Sequence, residues 1–169
     1  MLIFAGLAAF GRGLLELYRP DYWNPRTALD YAAVAGFSLM LRLLGLGLWG
    51  FFRQHPVSSN RAAFIWRAGI VASCISAATI GMSNFVEDAL GIKGLGIVWV
   101  TGILVLTAGL LLSGLSAFWV QGLPLLTGGL LLMSAIGLLF MASGGRFGLE
   151  PALLALGLLK INPTGGFRA

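Results

Sequence analysis

The sequence is poor in charge. Asp, Glu, Lys and Arg make up 10% of its 169 residues, and neither they nor His occur in the 52 residues between Lys93 and Arg146. As a helix of ~1.5 Å per residue, that stretch spans roughly 78 Å, enough for two crossings of a ~30 Å hydrocarbon layer and a turn. A soluble fold would need charges on the outer faces of those helices. The missing charge therefore excludes a soluble fold and predicts an integral membrane protein, in line with a mean hydropathy of +0.92.

Cysteine and histidine are nearly absent. Cys74 is the only cysteine, so no disulfide can form within the chain, and its apolar surroundings predict a buried, inert thiol. His55 is the only histidine, which excludes a haem held by two histidines and argues against a zinc site. The motifs H-E-x-x-H, G-x-S-x-G, Walker A and C-x-x-C do not occur. We therefore expect no metal, no cofactor and no enzymatic activity.

What the chain does have is a series of apolar segments, which predicts an all-α, polytopic transmembrane bundle forming one domain over residues 1–169. The first segment is ambiguous, because residues 2–18 are short for a span and contain Arg12 and Glu16, which can pair one turn apart. The alternative is four spans and an N-terminal interfacial helix. The apolar residues 149–159 are too few to span and predict a short C-terminal helix, interfacial or packed against the bundle. The five predicted spans are 2–18, 28–52, 62–86, 95–120 and 123–143.

The basic residues predict the orientation. The formal net charge of +5 is spread over loop positions with no Lys/Arg block, so we expect membrane orientation rather than nucleic-acid binding. The positive-inside rule places residues 19–27 and the C-terminus in the cytoplasm, and the five tryptophans fall near predicted span ends, as in an interfacial belt. The predicted cytoplasmic side holds Arg19, Arg26, Lys93, Arg146, Lys160 and Arg168, whereas the other holds Arg53 and Arg61, with Arg67 close by.

Small residues recur every fourth position on two of the predicted spans. Such series let helix backbones approach closely in lipid. We expect them to pack the bundle internally, and the alternative is a face for a homodimer or a partner membrane subunit. The two series are Gly69–Ser73–Ala77–Gly81 and Gly109–Ser113–Ala117.

Arg42 stands near the middle of the second predicted span. A charge there is costly, by ~2.5–3.5 kcal/mol on insertion scales, so the side chain is expected to face the bundle or a wet cavity. In an antiparallel hairpin its depth matches Ser73, Ser76 and Thr79. These hydroxyls are predicted acceptors for a structural clamp, unless Arg42 snorkels. The functional alternative is contact with an anion or a lipid headgroup.

A second polar set is predicted at the cytoplasmic interface. Asn84, Glu87 and Asp88 end the third span, and Asp30 begins the neighbouring one. With Arg19, Asp21 and Arg26 from the preceding loop, these residues could form an ion-paired ring. Alternatively, their oxygens could bind a cation or a proton.

The string SNFVEDALGIKGLG precedes a Gly/Leu-rich span, and a short turn with LP precedes the next. Over residues 80–140 the chain resembles small, uncharacterised polytopic bacterial membrane proteins. The resemblance implies a bacterial inner-membrane bundle and no particular activity. From the residues themselves we expect a non-enzymatic accessory subunit or small scaffold, and the alternative is a small transporter or channel component that works as a homodimer.

Overall fold

A computed structural model describes residues 1–18, 25–55, 60–121, 123–142 and 150–161 of the chain. These residues form six α-helices and one π-helical turn, and no β-strand occurs among them, which confirms the all-α class. The helices are α1 (Leu2–Tyr18), α2 (Ala28–Gln54), α3 (Arg61–Asn84), α4 (Gly96–Ala117), α5 (Leu125–Ala142) and α6 (Glu150–Ile161). The π turn (Phe85–Ala89) follows α3 directly.

Three of these helices are long and apolar enough to cross a membrane. They are α2, α3 together with the π turn, and α4, with 27, 29 and 22 residues. At ~1.5 Å per residue, 22 residues already cover a ~30 Å hydrocarbon layer. The apolar parts of α1 and α5 are shorter, Leu2–Leu15 and Leu125–Phe140. The chain is thus helical and has the long apolar helices of a membrane-spanning protein, whereas the predicted count of five spans stays a prediction.

Polar caps fix where two of the long helices begin. Thr27 Oγ1 accepts from the Asp30 backbone N–H (3.3 Å), and Asp30 Oδ2 accepts from the Thr27 N–H (2.9 Å), which forms a capping box at α2. Asn60 Oδ1 accepts from the Ala63 N–H (2.7 Å) at the start of α3. Each cap satisfies backbone donors that lack partners in the first turn of a helix.

The helices contact one another in chain order. Each of α1 to α5 packs against the next, and α6 packs against both α1 and α5. Buried leucines, isoleucines and alanines from all six helices form one core, and Trp66 and Phe51 are its largest fully buried side chains. The outer faces carry exposed Leu, Ile and Phe, such as Phe64 and Ile97. Exposed apolar side chains in this number suit lipid and not water.

The predicted small-residue series lie inside this packing. At the α3–α4 contact, a Cβ on Gly69 would lie 2.6 Å from the Gly109 carbonyl oxygen and would also meet Ser113 Oγ. At its C-terminal end the α3 series contacts α2 instead. Gly81 lies against the Ser38 carbonyl, and Ala77 lies against Gly45. All seven residues of the two series, Gly69, Ser73, Ala77, Gly81, Gly109, Ser113 and Ala117, are buried within this one chain.

The C-terminal helix α6 is part of the same core. Leu153 and Leu156 are buried, and Gly157 lies against Ile3 at the start of α1. The helix contacts α1 and α5, and the choice between the two predicted placements stays a prediction. Its depth relative to a bilayer stays a prediction.

Candidate functional site

Asp30 has a structural position at the start of α2. Its side chain is buried, and Oδ2 accepts from the backbone N–H groups of Arg26 (3.0 Å) and Thr27 (2.9 Å). A carboxylate in the first turn also complements the positive end of the helix dipole. Asp30 is therefore a capping residue. The predicted ring partners Arg19 and Asp21 lie outside the described residues.

Asn84 connects α3 to α2. The side chain is buried, and Nδ2 donates to Ser38 Oγ at 3.4 Å. Sequence reasoning did not select Ser38, because a single serine in an apolar helix carries no signal of its own. The antiparallel register of α2 and α3 would have identified Ser38. Gly45 lies against Ala77, and the same register places Ser38 opposite Asn84.

Glu87 and Asp88 lie on the π turn, both half-buried. Together with Asn84 and the first turns of α4 they line an open cavity of about 360 Å³, which we call the carboxylate cleft. Its lining residues are Asn84, Glu87, Asp88, Gly96, Trp99 and Val100. The structure thus brings three of the four predicted interface residues together, and Asp30 is not among them. Sequence reasoning assigned Trp99 to the interfacial belt and missed its place in the cleft.

Arg42 does not face the bundle. The side chain is exposed on α2, and Nη2 donates to Met82 Sδ at 2.9 Å. The structure does not bring Ser73 or Ser76 to Arg42: among the described residues its acceptor is Met82. Helical side chains lean toward the N-terminus of their own helix, so Arg42 leans toward the C-terminal end of the antiparallel α3.

The two predicted acceptor hydroxyls lie elsewhere on α3. Ser73 is buried against Gly109 of α4, and its Oγ has no hydrogen-bond partner among the described residues. Ser76 is also buried and lines a groove between α3 and α4. Thr79, the third hydroxyl at this depth, donates to the Ile75 carbonyl oxygen of its own helix (2.9 Å).

Arg12, unlike Arg42, is enclosed by the bundle. It is 5% exposed, and its guanidinium carbon lies 4.8 Å from the centre of the Phe37 ring on α2. A cation over an aromatic face is stabilised by the ring quadrupole. The side chain of Glu16, its predicted partner, lies outside the described part of the chain. Arg12 therefore contributes to the α1–α2 contact.

The carboxylate cleft and Arg42 are the two predicted polar sites that remain open to a ligand or a partner in the described chain. Two carboxylates, an amide and an indole ring suit a cation, whereas a guanidinium suits a carboxylate or a phosphate. No group of three or more His, Cys, Asp or Glu residues is placed to hold a metal ion in the described ranges. Comparison with protein-family models, curated proteins and solved structures found no match for this chain.

Proposed function

We propose that this chain is a non-enzymatic integral membrane protein that acts by assembly, as an accessory subunit or small scaffold. The observation that carries the proposal is the outward position of Arg42 on an otherwise apolar face. Hydrocarbon offers a guanidinium no acceptor, so an intramembrane arginine normally pairs with a group from protein. Because the Arg42 guanidinium faces outward, it can pair with a polar group of another membrane protein.

The interior supports a structural role. Ser113 Oγ lies 2.7 Å from the Gly109 carbonyl oxygen and 3.3 Å from that of Trp66, so this hydroxyl bonds within α4 and across to α3. Ser134 Oγ donates to the Leu130 carbonyl oxygen (2.8 Å). Both buried hydroxyls are engaged with backbone of the same chain, and the Ser113 contact with Trp66 joins α4 to α3.

The proposed topology has five spans in a bacterial inner membrane, with residues 19–27 and the C-terminus in the cytoplasm. Helices α1 and α5 have 17 and 18 residues, about 26 and 27 Å at ~1.5 Å per residue. That is at the short end of the range for spanning helices. The excess of Lys and Arg on one side supports the orientation.

Purification in mild detergent followed by mass measurement tests this function. An accessory subunit should carry a second polypeptide in fixed stoichiometry, so the complex should exceed the 17.8 kDa of the chain by the mass of that polypeptide. A complex whose mass is a multiple of this chain alone would contradict the proposal.

The carboxylate cleft favours one second candidate, a small transporter or channel component that works as a homodimer. Glu87 and Asp88 would bind a cation or a proton there. This candidate predicts that a cation raises the thermal unfolding temperature of the purified protein, since a ligand that binds the folded state stabilises it. The effect should disappear in Glu87→Gln and Asp88→Asn. An unfolding temperature that responds neither to cations nor to pH would exclude it.

A further inference from the structure

We infer that the outer face of α3, together with Arg42, docks a transmembrane helix of a different polypeptide that carries an Asp or Glu within its span. The inference rests on the proposed accessory function and names the chemistry of the partner. It combines a groove of small and hydroxyl-bearing residues with a guanidinium at the edge of that groove.

The groove runs between α3 and α4. Two adjoining cavities of about 330 and 420 Å³ share Thr79 and Val98, and together they form one depression that we call the α3 outer groove. Small or hydroxyl-bearing side chains contribute to its lining, namely Ser76, Ala78, Thr79, Ser83, Thr101 and Gly102. In lipid, such residues are typical of helix–helix contacts, because they allow close backbone approach and interhelical hydrogen bonds.

Arg42 lies at the edge of this groove. Its acceptor, Met82, is itself a lining residue of the larger cavity. The thioether of Met82 is a weak acceptor, whereas a carboxylate is the strong and frequently bidentate partner of a guanidinium. A helix seated in the groove would bring a side chain of its own within reach of Arg42.

The position of Arg42 along the span favours a protein carboxylate over a lipid phosphate. Arg42 is 14 residues from the start of α2 and 12 from its end, about 21 and 18 Å at ~1.5 Å per residue. Met82 precedes Glu87, the next charged residue of the chain, by about 8 Å of helix. The Arg42 guanidinium therefore lies nearer the middle of the span than the Glu87 carboxylate does. At that depth a neighbouring helix can supply an acceptor.

The chain's own helices from α2 to α5 supply no carboxylate at that depth. The sequence has no Asp or Glu from residue 31 to 86 or from 89 to 149. Gly47, which lies against Leu2 of α1, is five residues from Arg42, so α1 packs on a face of α2 about 140° away. A second copy docked on this face about a two-fold axis would offer Arg42 only the same residues, which include no Asp or Glu from 31 to 86 or from 89 to 149. Charge complementarity thus selects a different polypeptide.

The test measures binding of single-span peptides to the purified full-length protein by energy transfer in phosphatidylcholine vesicles. Three peptides share one Leu/Ala host sequence and carry Asp, Asn or Leu about two turns inside the span end. We expect the Asp peptide to bind about 5- to 30-fold more tightly than the Leu peptide, the range for interhelical polar contacts in model peptides. Equal binding of the three peptides to the unmodified protein would overturn the inference.

Matched variants assign the preference to Arg42. Arg42→Gln should abolish the Asp preference and Arg42→Lys should retain it, while Arg53→Gln, the same change at the end of α2, should leave it intact. Ala78→Leu should fill the groove and weaken all three peptides, whereas Ala32→Leu, at an exposed position near the start of α2, should not. An Asp preference that persists in Arg42→Gln would contradict the inference.

Two further outcomes separate the alternatives. If phosphatidylglycerol in the vesicles removes the Asp preference by competition, a lipid phosphate is the ligand and the inference is wrong. If the protein purifies with a foreign subunit but binds the three peptides equally, this inference fails and the accessory function stands. A homodimer of this chain alone would instead refute the accessory function, whatever the peptides do.

Discussion

At the scale of single residues, the polar side chains of this protein divide into those that hold helices in place and those that face outward. Asp30 and Asn84 belong to the first kind, since one caps α2 and the other joins α2 to α3. Arg42 belongs to the second. Residue type alone does not separate the two, because each is a polar group in or beside an apolar segment.

The capping box predicts a specific loss of stability. Thr27→Ala removes the oxygen that accepts from the Asp30 N–H and should lower the free energy of unfolding by about 0.5–2 kcal/mol. Denaturation of the purified protein in detergent micelles measures the change. Leu29→Ala, an exposed position in the same first turn, is the control and should change it far less. Equal losses in both variants would contradict a capping role.

The hydrogen bond between Asn84 and Ser38 can be measured by a double-mutant cycle. Asn84→Ala and Ser38→Ala, alone and combined, should give a coupling energy of about 0.6 kcal/mol, the average for interhelical hydrogen bonds in a membrane protein. The pair Asn84→Ala and Ser76→Ala should show no coupling, because Ser76 lines the groove on the α4 side of α3. A cycle without coupling for Ser38 would show that the contact adds nothing to stability.

The sequence could predict which residues were unusual but not their partners. Mid-span depth singled out Arg42, yet depth does not tell which side of a helix a residue occupies relative to its neighbours. Ser73 and Ser76 share a depth range with Arg42 and lie on other faces of α3. The rotation of each helix about its axis depends on the close contacts at Gly45, Gly69 and Gly81, which involve three helices at once.

At the scale of helices, glycine determines how closely α3 and α4 approach. Gly69→Ala would place a Cβ 2.6 Å from the Gly109 carbonyl oxygen, so the helices must separate, and we expect a loss of about 1–3 kcal/mol in the free energy of unfolding. Gly36→Ala, on α2, meets nothing within 4 Å and should be neutral or stabilise the protein by up to about 1 kcal/mol through helix propensity. The same unfolding measurement compares the two. A tolerated Gly69→Ala would contradict the proposed close approach.

Helix ends were far more predictable than helix contacts. The predicted segment 2–18 has the same limits as α1, and 123–143 differs from α5 by two residues at one end and one at the other. Hydropathy fixes such limits because apolar runs end where charges and turn residues begin. The π turn was not predicted: its first two residues fall within the predicted span 62–86 and the other three follow it, since its wider hydrogen-bonding pattern has no simple sequence signature.

At the scale of the whole molecule, topology is the first thing to measure. A reporter fused before residue 1 should be active only outside the cytoplasm if α1 spans, and one fused after residue 169 only inside it. The count of Lys and Arg on the two sides is the physical reason. A cytoplasmic signal from residue 1 would refute five spans and favour the interfacial alternative for α1.

The packing of α6 on α1 shows what the sequence could not provide. Leu153 and Leu156 enter the common core only because the end of the chain returns to its beginning. The short apolar sequence of α6 predicts that one of its faces is buried. Whether that face lies on the bilayer surface or on the bundle depends on a contact between residues about 150 positions apart in the sequence. No local pattern encodes that contact.

The central claim is that the protein acts by binding another membrane protein through Arg42. Its most direct test is the native mass of the complex purified from its own cell, for the unmodified chain, Arg42→Gln and Arg53→Gln. We predict one foreign subunit in addition to the 17.8 kDa chain for the unmodified protein and Arg53→Gln, and the chain without that subunit for Arg42→Gln. The same mass for all three proteins would contradict the claim.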